Sequence, residues 1–461
     1  MASTSLTWTP SSAGSQQKTT LSMWLKKSSP SNAGYVFEIN DGLNQFVIRE
    51  SNAQIKFWHF SGSAYDWEAE ISPLLRDVNG WYNFVMSIDT TQSTLANRLK
   101  CWLNGVSQTV TFTSGSSNFS QNSNWIINKN STHRWGRADN SYWNGYMSHL
   151  HKTDGYCYDA STFGQTDNTT GEWQINASPT IANYGTNGFW ILKDGNSVTD
   201  QSPNTNNFTV ATGTLTNSED NPSNIFATLN SLFYSSDVTL SNGNTTVVET
   251  GDNWRSAYSN IGVSTGKWYW EAEISYQNNS EAYFGLAHEN HMDGSGGVTY
   301  GGNVSGSSAP NSGGYDYVGY STRSFGIYSN GNQDYPSTTT YTGSYSGSTY
   351  KMSFALDIPN RKLYVARNGI WTNGSNNDWG SSTFDSTVGA LDISGKIPAT
   401  GFIFPAFSPN QSTWKVNFGN GYFGTTAISS PQQDAAGQGK FQYTPPSGYY
   451  AICTKNINAY G

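Results

Sequence analysis

An all-β chain is what this sequence predicts, and three observations carry the prediction. Residues 266–274 read GKWYWEAEI. Trp268, Trp270, Ala272 and Ile274 fall on one face and Tyr269, Glu271 and Glu273 on the other, the period of two that marks a strand apolar on one side and wet on the other. Asn104-Gly105 and Asn368-Gly369 each end an alternating run, the strongest short-range hairpin signal. Aromatic residues reach 15%, charged residues only 12%, and Gly numbers 47 among 461 residues. That balance is rich in strand and turn formers and too aromatic for disorder.

At this length two or three domains are expected. Residues 1–165 form a run of short alternating strands. Leu21, Met23 and Leu25 alternate with Ser22 and Trp24. Residues 35–39, 45–49 and 54–57 follow, then Tyr82, Phe84, Met86 and Ile88 ending at Asp89, and Leu99, Cys101 and Leu103 entering the hairpin at 104–105. Residues 166–235 form a bridge whose Asn, Ser and Pro clusters indicate loop. Its Trp173, Phe189, Trp190, Phe208 and Phe226 indicate that it lies against something. Residues 236–428 repeat the grammar of the first segment: Met352, Phe354 and Leu356 end at Asp357, a Pro359-Asn360 turn follows, and Leu363 and Val365 approach 368–369. The tail, 429–461, carries Tyr443, Tyr449 and Ile452 and is too apolar to be solvated. WEAEIS occurs at 67–72 and again at 270–275, but six residues do not make a repeat.

In the second domain the ordered strings WYWEAEI, YFGL (283–286), SFGIYSN (324–330), FALD (354–357), LYVARNG (363–369), FPAF (404–407) and NFG (417–419) resemble the SPRY family of recognition sandwiches. In the first, TTLSMWLKKS (19–28), NGWYNFVMSID (79–89), LKCWLNG (99–105) and WNGYMSHLHKTDG (143–155) resemble a laminin-G-like, concanavalin-A-like lectin domain. The fold expected from both is a pair of jelly-roll-type antiparallel β-sandwiches, laminin-G-like then SPRY-like, joined by an ordered loop-rich bridge. The bridge strings YGTNGF and DNPSNIFATLN with the ending PPSGYYAICTKN resemble virion structural proteins of marine phages of the cyanophage type. That resemblance implies a virion location, in a tail fibre, a spike or a capsid protrusion, with many copies per particle. Its implied partners are other virion proteins and a host cell-surface glycan.

The residues point the same way without the resemblance. A formal charge of −8, a pI near 5.2 and no basic stripe argue against nucleic acid. No apolar run approaches the roughly 20 residues that cross a bilayer. The N-terminal MASTSLTWTP lacks the regions of a signal peptide, so synthesis in a host cytoplasm is expected. Cys101, Cys157 and Cys453 are sparse and unpaired in spacing and read as buried thiols rather than a disulfide framework.

Glu68 with Glu70, and Glu271 with Glu273, have the i, i+2 spacing that a glycosidase carboxyl pair uses; the plainer reading is a solvated strand face, so no catalytic residue is assigned and no enzyme is expected. His149 with His151, and His288 with His291 near Asp293, lack a third ligand and read as surface histidines. Asp41, Asp139, Asp154 and Asp293 lie in polar stretches where calcium could bind through oxygen; no other cofactor is expected. Flat aromatic rings among Asn, Asp and Gly suit a sugar, whose C–H faces stack on rings while polar groups fix its hydroxyls. The ligand-binding candidates are Trp58, His59 and Tyr65 in one stretch, Arg134, Trp135, Arg137 and Trp143 in another, and Tyr315 and Tyr317 in the second domain. The competing readings are aromatic core, a purely architectural virion protein that binds no sugar, and a polysaccharide depolymerase acting through Glu68 or Glu70.

Overall fold

The computed structural model describes residues 3–30, 33–193, 197–234, 237–251, 255–276, 282–292, 318–319, 323–328, 333–334, 349–373 and 379–461. It is β-sheet almost throughout. The chain divides into two compact units, residues 1–217 with 221–223, and 218–220 with 224–461. The expected bridge is therefore shared: residues 166–217 belong to the first unit and 224–235 to the second.

The first unit contains β1 (Ser5–Trp8), β2 (Lys18–Lys27), β3 (Gly34–Asn40), β4 (Gln45–Ser51), β5 (Gln54–Phe60), β6 (Tyr65–Leu74), β7 (Tyr82–Asp89), β8 (Leu99–Leu103) and β9 (Val106–Gln108). It continues with β10 (Val110–Ser114), β11 (Thr132–Trp135), β12 (Arg137–Ala138), β13 (Ser141–Tyr142), β14 (Gly145–Asp154), β15 (Gly164–Thr166), β16 (Trp173–Ile175), β17 (Phe189–Ile191) and β18 (Thr209–Thr212). An eight-stranded sheet in the order β10-β6-β5-β4-β3-β11-β1-β18 faces a six-stranded sheet in the order β17-β14-β2-β7-β8-β9. Every pairing in both is antiparallel. The core between them takes one face of each strand: Phe37 and Ile39, Phe46 and Ile48, Ile55 and Phe57, Trp67 and Ala69, Met23 and Leu25, Phe84 and Met86. Phe189 and Phe208 join this core, which accounts for the aromatic residues of 166–217. Val85, on the reverse of the six-stranded sheet, is covered by Ala160 and Phe163 with Trp173 beside them. Gly105 (φ 77°) is required in its turn, because a Cβ there would meet the Trp173 ring.

The second unit is also built on two sheets. One runs Leu229–Tyr234, Ala257–Ser259, Ile403–Pro409, Ala282–His288, Ser324–Tyr328 and Gln333–Asp334; the larger centres on Lys267–Tyr276, flanked by Tyr350–Asp357 and Ser412–Asn417. Trp268, Trp270, Ala272 and Ile274 point into the core as the alternation predicts. The other face of the strand is not wet. Tyr269 and Glu271 are fully buried, because the tail lies over them. Tyr269 packs on Phe441 at 4.9 Å, and Tyr450–Ala451 adds a short parallel pairing to Trp268 and Tyr269. Alternation reports two faces of different chemistry; it does not report whether a later segment covers the polar one.

The thiols also depart from expectation. Cys101 and Cys453 are buried, but Cys157 is exposed. Among the described residues no helix is long and apolar enough to cross a membrane.

Candidate functional site: an open sheet face in the first unit

Side chains of β3 to β6 that do not enter the core stand on the far face of the eight-stranded sheet. Burial alternates along β5 and β6, half-exposed outward and buried inward, so this face is open there. The registers align its residues in rows across the strands. One row runs Thr7, Arg134, Glu38, Val47, Trp58, Glu68 and Ser114. A second runs Tyr35, Arg49, Lys56, Glu70 and Thr111. A third runs Asn40, Gln45, Phe60 and Tyr65.

Trp58 is the hub. Its ring meets Tyr35 edge-on at 6.0 Å and 78° and Tyr65 edge-on at 6.2 Å and 82°. Tyr65 also touches Phe60 at 5.5 Å. Edge-to-face contacts at these separations are favourable and hold rings at fixed angles. Tyr65 is 52% exposed. Charged pairs border this cluster. Arg134 Nη1 donates to Glu38 Oε2 at 2.6 Å, and Glu38 Oε1 also accepts from Asn40 Nδ2 at 2.9 Å and Gln45 Nε2 at 2.5 Å. Lys56 pairs with Glu70 at 3.0 Å. The Arg49 guanidinium lies 5.1 Å over the Tyr35 ring, a cation–π contact. Neighbouring strands lie roughly 4.8 Å apart. The face therefore offers rigid rings with donors and acceptors at spacings comparable to a sugar ring.

The expected site residues separate into three groups. Trp58, Tyr65 and Arg134 share this face. His59, Trp135 and Trp143 do not. His59 points inward, donating or accepting at Nδ1 with Asp66 Oδ2 at 2.6 Å and lying 4.8 Å from the Trp125 ring; burial pushes its pKa down, the bond to Asp66 opposing. Trp135 is a core residue whose ring lies tilted against Phe37 at 4.3 Å. Trp143 is core as well, its Nε1 donating to Tyr146 O at 3.3 Å. Each alternates with an outward neighbour, so a stretch of mixed aromatics contains both platform and core. Arg137 is half-exposed but turned to its own hairpin, where Nε donates to Asp139 O at 2.5 Å and the guanidinium lies over Tyr142. Tyr315 and Tyr317 lie outside the described residues, as do Tyr320 and Asp293.

Tyr35 and Arg49 belong to the face and were not anticipated; Glu38 stands on the same side of the sheet but is fully buried beneath Arg134. Their strands were legible, but which outward residue stands beside Trp58 depends on register. Tyr35 comes opposite Arg49 through an irregularity between Tyr35 and Phe37.

The other chemical candidates change character. Glu68 accepts from Ser114 Oγ at 3.3 Å, and Glu70 is committed to Lys56. Glu271 is buried rather than solvated, and burial pushes its pKa up to about 7. Glu273 bridges Lys415 at 2.7 Å and Lys351 at 3.4 Å. His149 and His151 are buried, not superficial. His149 (φ 46°) sits in a bulge of β14, and His151 stacks on Trp190 at 4.8 Å. His288 Nε2 contacts Thr400 O at 2.6 Å, and His291 is buried against Tyr258. Asp154 ends a strand instead of lying in a loop, and its carboxylate accepts from Ser15 N and Asn187 N. Among the described residues no group of three His, Cys, Asp or Glu side chains is placed to hold a metal ion.

No family model matches the chain, and no curated protein matches it. Solved structures do. The stonustoxin structure is 19% identical over 41% of this chain, with a TM-score of 0.27; the chain spans 27% of that protein's length. The SPRY domain of human HERC1 is 13% identical over 39% of this chain and 91% of its own, with a TM-score of 0.24. The TRIM65 PSpry domain is 11% identical over 41% of this chain and 89% of its own, with a TM-score of 0.26.

Proposed function

We propose that the protein is a virion surface component that recognises a host glycan non-covalently through the open face of the eight-stranded sheet. The observation that carries this reading is the Trp58 cluster: three outward rings locked edge-on, bordered by Arg134–Glu38 and Lys56–Glu70. Ring faces take the apolar side of a sugar, and the Glu70 carboxylate, Lys56 ammonium and Arg134 guanidinium take its hydroxyls, the buried Glu38 carboxylate holding Arg134 in place. The phage resemblance of residues 184–189, 220–230 and 445–456 supports the location. The low charge and the Ser, Thr and Asn-rich composition suit an exposed particle part that resists nonspecific adhesion. Weak single-site binding would be raised by many copies on one particle.

The test is a glycan array with the full chain and with Trp58→Ala. The reading expects a hit that the variant loses. Absence of any hit, together with burial of Trp58 and Tyr65 against a neighbour in an assembled particle, replaces it with the architectural role. Release of reducing ends from host polysaccharide, abolished by Glu68→Gln, replaces it with a depolymerase.

A further inference from the structure

We propose that Lys152 and Asn128 are joined by a spontaneous isopeptide bond inside the first sandwich. Both side chains are fully buried. Lys152 Nζ donates to Asn128 Oδ1 and, at 3.5 Å, to Asn187 O. Its acceptors are neutral, and among the described residues no carboxylate lies within ion-pair distance of it. The nearby Asp154 carboxylate is taken up by Ser15 N at 2.7 Å and Asn187 N at 3.0 Å. An ammonium held in a core by neutral acceptors alone is costly. The cost is relieved by shedding the proton, and burial lowers the Lys152 pKa to about 7. A neutral amine beside an amide carbonyl is a nucleophile beside an electrophile.

The carboxamide is oriented for this role. Asn128 Nδ2 donates to Ser15 O at 2.7 Å and Lys18 O at 3.0 Å, which turns Oδ1 to the lysine and gives the departing nitrogen two acceptors. His133 is fully buried and lies near enough for the Lys152 charge to act on it. Burial first, and then that charge, hold its pKa well below the ordinary value, so the imidazole is neutral. Its Nδ1 faces Ser131 O at 2.8 Å, and the backbone of Ile127 also bonds to the ring.

The step balances without a co-reactant. The Nζ lone pair attacks Asn128 Cγ, and the carbonyl π electrons move to Oδ1. The tetrahedral centre collapses and breaks the Cγ–Nδ2 bond. One proton passes from Nζ to Nδ2, and ammonia leaves. The product is an amide between residues 24 apart in sequence. It ties the turn at Ile126–Asn128, which packs on β3 and β4, to β14 of the opposite sheet, and it removes the buried charge.

Intact mass spectrometry of the full chain tests this. The expected result is a mass lower than the sequence mass by one ammonia, about 17 Da, with a protease digest yielding one branched peptide that joins the segments around 128 and 152. Asn128→Ala and Lys152→Met, where soluble, should restore the unmodified mass. The wild-type result alone can overturn the proposal. A full sequence mass after prolonged incubation does so. A loss of ammonia that maps to a succinimide at an Asn-Gly site such as Asn104-Gly105 does so as well.

Discussion

Glu271 Oε2 accepts the backbone N–H of Gln442 at 2.8 Å, across 171 residues of sequence. The same carboxylate accepts from Tyr443 N at 2.8 Å, Tyr269 Oη at 2.9 Å and Asn417 Nδ2 at 3.3 Å. A strand glutamate has thus become the anchor of the tail.

This anchor predicts an unusual pH dependence. Burial pushes the Glu271 pKa up to about 7 from an ordinary value of 4.5, the four donors opposing. The folded state then binds a proton more tightly than the unfolded state, so stability falls as pH rises between about 4.5 and 7 and levels off above. A shift of this size corresponds to about 3 kcal/mol at most. Denaturant unfolding of the wild type should show this loss between pH 5 and pH 8. Glu271→Gln, which cannot ionise, should flatten that part of the profile while lowering stability at pH 5, since it has one acceptor oxygen in place of two.

Trp58 and Trp135 should respond oppositely to truncation. Trp135→Ala opens a void beside Phe37 and should cost about 3–5 kcal/mol in urea unfolding. Trp58→Ala removes only edge contacts on an open face and should cost about 1 kcal/mol. If the sheet face is the binding site, Trp58→Ala should nonetheless weaken glycan binding about tenfold, equivalent to 1.4 kcal/mol. Equal destabilisation by the two would remove the distinction between platform and core.

How far the sequence was legible shows best in the string WEAEIS, which occurs twice. In both copies the inward set is the expected one, Trp67, Ala69 and Ile71 in the first and Trp270, Ala272 and Ile274 in the second. Local alternation is enough to determine that. The glutamates diverge. The second glutamates, Glu70 and Glu273, are both partly exposed and paired with lysine, but of the first ones Glu68 stays partly exposed beside Ser114 while Glu271 is buried under residues 441–443. The covering segment lies 171 residues away, and no local pattern announces it. The binding face was half legible for the same reason. Trp58, Tyr65 and Arg134 follow from composition and loop chemistry, but Tyr35 and Arg49 enter through strand register. Trp135 went astray because an aromatic on a strand looks the same whichever face it takes, and Trp143 because a ring between two strands can turn into the core as readily as out of it.

Lys27 and Glu50 form an ion pair at 3.2 Å with both side chains fully buried. Lys27 Nζ also donates to Leu75 O at 2.9 Å and Pro30 O at 3.2 Å, and Glu50 accepts from Ala33 N. Removing one partner strands the other charge, so Lys27→Met should cost about 3–5 kcal/mol. The double change Lys27→Met with Glu50→Leu should recover much of it, because two apolar side chains leave no orphaned charge, although Ala33 N then loses its acceptor. A double-mutant cycle by chemical denaturation measures the coupling. Additive losses would show that the two residues act separately.

Asp434 is the tail's second anchor, and it makes the tail separable from the sandwich by experiment. Its Oδ2 accepts from Ala451 N at 2.9 Å and Asn456 Nδ2 at 2.8 Å, and its Oδ1 accepts from Ala436 N and Gln438 N, each at 2.9 Å. Asp434→Ala leaves the buried Ala451 N unpaired, at about 1–3 kcal/mol, and takes one of two acceptors from Asn456 Nδ2, while the part-buried Ala436 N and Gln438 N lose their partner at lower cost. The strain falls on the tail, which gives the core between the sheets Ile452 as its one fully buried side chain, so local opening should become easier while the sandwich persists. Amide exchange at Ala451 should quicken at least about tenfold, a change of 1.4 kcal/mol, whereas exchange at Trp270 and Phe354 should stay near wild type. Equal acceleration at all three would mean that the tail and the sheet beneath it unfold as one unit.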